Sequence, residues 1–292
     1  MPVIGVDLGG TRIRAGMVEA GGAVVCLREM ATRAERPACE IAADIAALVR
    51  AVEADVRTVG TGAAAPIGVG VPTTIGPDGA LAPSPNLPTC AGYPLARELG
   101  NLLGRPVVLE NDARCFALGE VLAGAARGAL IAAGVTLGTS IGLGMVVNGA
   151  LLRGAHGEAG EIWRSPVDLL AAPGAETAGR ADSLHDLLGG HALGTDAATT
   201  ARLARCGDAA ALAVFARYGE RLGAALCWLC DMLDPDVIVI GGAIAASFDL
   251  FADHARAVLG ARRTLLAASA LGDRAAILGA AGVAGWREGN RA

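Results

Sequence analysis

Two stretches of this chain carry the same pattern, and any fold must accommodate both. In the first, Val3-Ile4-Gly5-Val6-Asp7-Leu8 reads as a buried strand that breaks into Gly9-Gly10-Thr11-Arg12 and resumes as Ile13-Arg14-Ala15-Gly16-Met17. In the second, an apolar run over 130–135 leads through Thr136-Leu137-Gly138-Thr139-Ser140 into Ile141-Gly142-Leu143-Gly144-Met145-Val146-Val147. A strand, a Gly/Thr-rich turn and a returning strand at the head of each half mark an internal duplication. The expected architecture is two related α/β lobes with a cleft between them, the first over 1–112 and the second over 113–292. A C-terminal helix over about 275–292 is a candidate to pack back on the first lobe.

Between these hairpins strands alternate with helices, which fixes the class as α/β. A helix is expected over 38–57, with Ile41, Ile45, Leu48, Val49 and Val52 on one face. Strands follow at 67–72 and 106–109, separated by the proline-bound loop Pro83-Ser84-Pro85-Asn86-Leu87-Pro88 and a helix near 95–103. Glu110-Asn111-Asp112 then opens a helix over about 113–125. A polar stretch near 165–195 reads as irregular, and helices occupy about 196–233. Asp234-Pro235-Asp236 stops them before the strand Val237-Ile238-Val239-Ile240, which ends in Gly241-Gly242.

Three glycine turns thus stand at strand ends, where open α/β sheets bind ligands. Paired glycines let the backbone approach a phosphate, and their N–H groups form an anion-binding concavity. Asp7, at the end of its strand, can hold a hydrated magnesium ion. Each turn is also consistent with an ordinary hairpin, and Asp112 with a helix N-cap.

Composition narrows the rest. The 292 residues are 53% apolar with a net charge of −5, and no Lys/Arg block or aromatic stripe suggests a nucleic-acid surface. Mean hydropathy is +0.49, yet alanine and glycine supply the excess and no apolar run has transmembrane length. With a core strand already at residue 3 and no signal region, a cytoplasmic protein is expected. The seven cysteines have no framework spacing and read as reduced thiols, the Cys227/Cys230 pair as small hydrophobes on an apolar helix.

The turns together with Asp112 outline an ATP-dependent phosphotransferase, a reaction that needs positioning, charge neutralisation and a carboxylate to accept the attacking hydroxyl's proton. Asp7-Leu8-Gly9-Gly10-Thr11-Arg12, Pro85-Asn86-Leu87-Pro88, Glu110-Asn111-Asp112, Gly138-Thr139-Ser140-Ile141-Gly142-Leu143-Gly144, Gly157-Glu158-Ala159-Gly160-Glu161-Ile162 and Ile240-Gly241-Gly242 resemble, in order, the motifs of the ROK family of sugar kinases and repressors. The resemblance implies an actin-like, ribonuclease-H-like fold closing on ATP-Mg²⁺ and a hexose, with a homodimer as the expected assembly. It implies Asp112 as catalytic base toward the 6-hydroxyl and Asn86, Asn111 and Glu161 as ligands of ring hydroxyls. Gly9, Gly10, Thr11, Arg12, Gly138, Thr139, Gly241 and Gly242 would line the nucleotide site.

The chain departs from that family in one region. ROK kinases usually follow Gly-Glu-Ile with Gly-His, whose histidine touches sugar and a structural zinc, and a cysteine-rich loop comes next. Here Trp163-Arg164 stand in those places and no cysteine lies between 165 and 190, so no structural zinc is expected. A gapless count puts His185 where the family has a further sugar-binding glutamate, with Asp186 or Glu176 as alternatives. Arg164 and His185 would change the donors offered to hydroxyls remote from C6, which opens the way to an amino or otherwise modified hexose. Arg12 replaces a common lysine. The competing readings are a sugar-binding pseudokinase and a sugar-sensing regulator. Retention of Asp7, Asp112 and the turns argues against the first, and the absence of a basic patch against the second.

Overall fold

The structure is a computed structural model and describes residues 2–19, 21–57, 65–76, 78–165, 183–194 and 196–289. The first sheet is built from β1 (Val3–Leu8), β2 (Arg12–Val18), β3 (Val24–Ala31), β4 (Ile67–Val71) and β5 (Val107–Asn111), in the order β3-β2-β1-β4-β5. β1, β2 and β3 pair antiparallel, and β4 and β5 continue from β1 in parallel. The second sheet contains β6 (Ile131–Leu137), β7 (Ile141–Val147), β8 (Ala150–Leu151), β9 (Val237–Gly241) and β10 (Leu265–Ala268), in the order β10-β9-β6-β7-β8. Its pairings repeat those of the first sheet strand for strand, antiparallel through β6, β7 and β8 and parallel through β6, β9 and β10. The duplication seen in the sequence is therefore a duplication of topology.

Each sheet has its own apolar core. Helix α1 (Ala38–Arg57) lays Ile41, Ile45, Val49 and Val52, all wholly or almost wholly buried, against β1 and β2, while α2 (Leu95–Leu103) adds Leu95 and Leu99. Fully burying side chains of this size is worth roughly 1.5–3 kcal/mol each. In the second lobe α6 (Ala209–Leu233) packs on α7 (Phe248–Leu259), with Phe215, Tyr218 and Phe251 buried between them and Tyr218 donating its hydroxyl to the Leu188 carbonyl at 2.9 Å.

Two helices join the lobes. α3 (Asp112–Ala123) leaves β5 of the first sheet and lies on β6 and β7 of the second, while α8 (Arg274–Gly289) follows β10 of the second sheet and lies on β1 and β4 of the first. They cross where Gly119 faces the Ala275 backbone and Gly279 faces the Cys115 backbone, and a Cβ at either glycine would collide with a carbonyl. The wholly buried Glu120 ties the crossing together, accepting from Ser269 Oγ at 2.5 Å and the Ala125 N–H at 2.8 Å. Among the described residues no helix is long and apolar enough to cross a membrane.

Some elements differ from expectation. The helical run near 196–233 is broken at Gly207 (φ 86°) into α5 (Ala197–Arg205) and α6, and Asp196 and Asp208 each cap one of them. Neither α7 nor β10 was expected. β10 has only four residues, too few for a periodicity to show. Within the stretch expected to be irregular, α4 (Leu184–Leu188) and a 3-10 turn over Gly190–Leu193 are formed, while 166–182, including Glu176, lies outside the described residues.

Candidate active site

The parallel strands β1, β4 and β5 of the first sheet carry the candidate residues at their C-terminal ends. β1 delivers Asp7, β4 leads to Thr73 and the 83–88 loop, and β5 ends at Asn111 with Asp112 as the first residue of α3. Asn111 is the N-cap: its extended backbone places Oδ1 to accept the Arg114 N–H at 3.1 Å, and its Nδ2 donates to the Thr73 carbonyl at 3.4 Å. Asp112 is thereby relieved of capping, and its Oδ1 accepts the adjoining Ala113 N–H at 2.8 Å. Capping uses part of the Asn111 amide, leaving one N–H and one lone pair for a ligand.

The carboxylates are tuned by burial. Desolvation, the nearby charge of Asp7 and that of Glu161 lift Asp112 to about 7, opposed by the Ala113 N–H. Asp7 is raised to about 6 by desolvation, moderated by Arg14 at 3.5 Å and reinforced by Asp273. A carboxyl near 7 beside a second, partly buried carboxylate, at the C-terminal ends of parallel strands, has the properties of a general base.

The first glycine turn is braced from beneath by the fully buried Thr32, which sequence reasoning missed. Its hydroxyl donates to the Gly9 carbonyl at 2.6 Å and its N–H to the Thr11 carbonyl at 2.9 Å. Gly10 lies against Asn86, whose carbonyl would stand 2.9 Å from a Cβ there. Asn86 itself is set by the Ser84 hydroxyl, which donates to the Pro72 carbonyl at 2.8 Å and accepts the Asn86 N–H at 3.2 Å. Arg12 is exposed and paired with Glu29 at 3.1 Å, while Arg14, on the same strand, stands beside Asp7 and reaches Asp273 at 3.0 Å.

The second turn joins β6 to β7 in the other sheet. Gly138 donates its N–H to the Ser140 carbonyl at 3.0 Å and accepts from the Gly190 N–H at 2.8 Å, with open space over its α-carbon and Thr139 exposed beside it. The Ser140 hydroxyl is buried without a hydrogen-bond partner among the described residues. Gly241 and Gly242 leave β9 against the end of β6, where the φ of 83° at Gly242 seats it on the Leu137 carbonyl.

Glu161 precedes a 3-10 turn over Ile162–Arg164 and accepts the Trp163 indole N–H on Oε2 at 2.8 Å. Arg164 pairs instead with Glu158 at 2.6 Å, both half exposed. His185 lies on α4 with its ring 5.3 Å from that of His191, and α4 hangs from the Glu161 turn through the Leu184 N–H to the Ser165 carbonyl at 3.0 Å. Asp7, Asp112 and Glu161 are brought together. His185 is tied to the site through its segment's backbone.

This arrangement has counterparts. A profile of the ROK family matches residues 3–285. The chain belongs to the ROK family. It is 31% identical over 274 residues to a glucokinase of Thermotoga maritima, a match covering 86% of this chain and 84% of that protein. Over 266 residues it is 33% identical to an N-acetyl-D-glucosamine kinase of Pectobacterium atrosepticum, covering 84% of each. Among solved structures, an ROK family glucokinase from Streptomyces griseus in complex with glucose and AMPPNP aligns with a TM-score of 0.81 at 26% identity, covering 98% of this chain and all of that one. As an ROK protein the chain has the actin-like ATPase fold, and the two matched sheets are its lobes.

Proposed function

We propose that this ROK protein is an ATP-dependent sugar kinase that transfers the γ-phosphate to the 6-hydroxyl of a hexose. The observation that carries the reading is Asp112: partly buried, released from capping by Asn111, and lifted to about 7 beside Asp7 and Glu161. A base of that strength takes a hydroxyl proton at neutral pH and returns it readily afterwards. The related glucokinase and N-acetylglucosamine kinase, and the AMPPNP complex of a third ROK protein, support sugar and ATP as the reactants.

In the proposed mechanism the phosphates lie between the Gly9-Gly10-Thr11 turn and the Gly138-Thr139 turn, with the adenosine end near Gly241 and Gly242. The Ser140 hydroxyl, without a partner among the described residues, and the open face of Gly138 suit such an anion. Arg12 joins the phosphates by leaving Glu29. A surface pair of this kind is worth only about 0–1 kcal/mol, so a polyphosphate outcompetes it. Asp7, a partly exposed carboxylate with a guanidinium at 3.5 Å, fits a magnesium ion held through water. Bound there, magnesium would neutralise charge on the transferring phosphoryl group. Asn86, Asn111 and Glu161 hold the ring so that the 6-hydroxyl meets Asp112, and fixed polar groups of this kind penalise sugars lacking the matching hydroxyl.

The pocket remote from C6 is expected to differ from that of a glucose-specific enzyme, because Glu161 shares one oxygen with the Trp163 indole. An amino or otherwise modified hexose is therefore included in the proposal. ADP release from ATP-Mg²⁺ across neutral, N-acetylated and free-amino hexoses tests it. Sugar-dependent release names the substrate class, and none on any hexose refutes the kinase reading.

A further inference from the structure

Asp112 is flanked in sequence by two charged residues that are more deeply buried than it needs for chemistry. Glu110 is 3% exposed and Arg114 4% exposed, one at the end of β5 and the other in the first turn of α3. Burying a guanidinium and a carboxylate is expensive unless every hydrogen-bonding position is filled. Here several of them are met from the 153–159 loop. Arg114 Nη1 donates to Glu110 Oε1 at 3.3 Å, and its Nη2 donates to the carbonyls of Gly157 at 2.6 Å and Ala159 at 2.9 Å. Glu110 in turn accepts Arg153 Nε on Oε2 at 2.6 Å and the Asn111 N–H on Oε1 at 3.0 Å. The loop closes on itself through the Ala159 N–H and the Arg153 carbonyl at 3.1 Å.

The segment gripped in this way, 153–159, runs directly into Gly160 and Glu161. The same helical turn that begins with Asp112 therefore holds the loop that presents Glu161. We infer that Arg114 is a positioning residue, whose fork on the Gly157 and Ala159 carbonyls sets Glu161 relative to Asp112 and so fixes the sugar between them. This rests on the sugar-kinase reading. Arginine suits the task because a planar fork holds two carbonyls and a carboxylate at once, whereas an ammonium is a compact point charge. Reaction rates are sensitive to such placement, and a misplacement near 1 Å costs about a hundredfold.

The test compares wild type with Arg114→Met, which severs the clamp, and Arg114→Lys, which keeps a cation beside Glu110. Steady-state kinetics with the best hexose of the panel are measured together with hydrogen exchange at amides 157–161. The sugar KM is expected to rise about ten- to hundredfold in Arg114→Met with the ATP KM within twofold of wild type, Arg114→Lys lying between. Exchange at 157–161 rises in the same order. Should Arg114→Met fail to fold, Arg114→Lys carries the test alone, with a sugar KM raised severalfold. A sugar KM unchanged in a folded variant overturns the inference, even if exchange rises, because the clamp would then serve stability only. Should the wild type phosphorylate no sugar, the kinase reading has failed, and the inference about Arg114 is then decided by the sugar Kd from titration, with no sugar binding by the wild type, or a Kd unchanged in both folded variants, overturning it.

Discussion

Asn111 caps the helix that Asp112 begins. The cap accepts the Arg114 N–H at 3.1 Å, so the following carboxylate is free of the role that its position at a strand–helix junction would otherwise give it. One consequence is energetic. Carrying a carboxylate whose pKa is raised from an ordinary 3.8 to about 7 disfavours the folded state wherever that group is ionised.

Asp112→Asn is therefore expected to stabilise the protein at alkaline pH. Between pH 4 and 7 folded Asp112 keeps a proton that the unfolded chain has lost, so stability falls as pH rises through that window and the loss is complete above it. Removing the charge is worth up to roughly 4 kcal/mol at pH 8 and less at pH 5. Calorimetry should show a Tm above wild type at pH 8 by several degrees, with the gap narrowing at pH 5. A Tm below wild type at pH 8 would show that the carboxylate is not under this strain.

Thr32→Val removes the hydroxyl that donates to the Gly9 carbonyl at 2.6 Å and leaves that carbonyl unpaired beneath the turn. A cost of about 1–2 kcal/mol is expected. The specific signature is kinetic: a raised KM for ATP at an unchanged KM for sugar. Equal changes in both would indicate general loosening of the lobe.

Trp163→Phe keeps an aromatic side chain, smaller than the indole, and deletes the N–H that holds Glu161 Oε2. A hydrogen bond to a carboxylate at a partly exposed site is worth about 1 kcal/mol, which predicts a sugar KM raised about fivefold. Comparing neutral with N-acetylated hexoses shows whether this bond also sets preference. No change on any sugar would remove Trp163 from the account.

Much of this was legible in the sequence because it is local. The two strand–turn–strand units, the buried face of α1 and the Asp at the β5–α3 junction each depend on residues within one or two elements. What the sequence hid depends on partners far along the chain. Thr32 braces a turn some twenty residues earlier, Arg114 serves carbonyls at 157 and 159, and Arg12 is drawn to Glu29 across the β2–β3 hairpin. β10 escaped because four residues carry no readable period, although the repeated topology requires a strand there to match β5. The capping role was assigned to Asp112 as an alternative, yet the backbone gives it to the residue before.

The central claim is that Asp112 is the base. The most direct measurement is the pH profile of sugar phosphorylation by wild type beside Asp112→Asn, with sugar affinity measured separately by titration. The account predicts that wild-type kcat/KM falls tenfold per pH unit below about 7, the value to which burial and the Asp7 and Glu161 charges raise Asp112. It also predicts that Asp112→Asn binds sugar within a few-fold of wild type and transfers phosphate about 10²–10⁴ times more slowly. A variant that retains near-wild-type transfer, or a wild-type profile flat to pH 5.5, would contradict it.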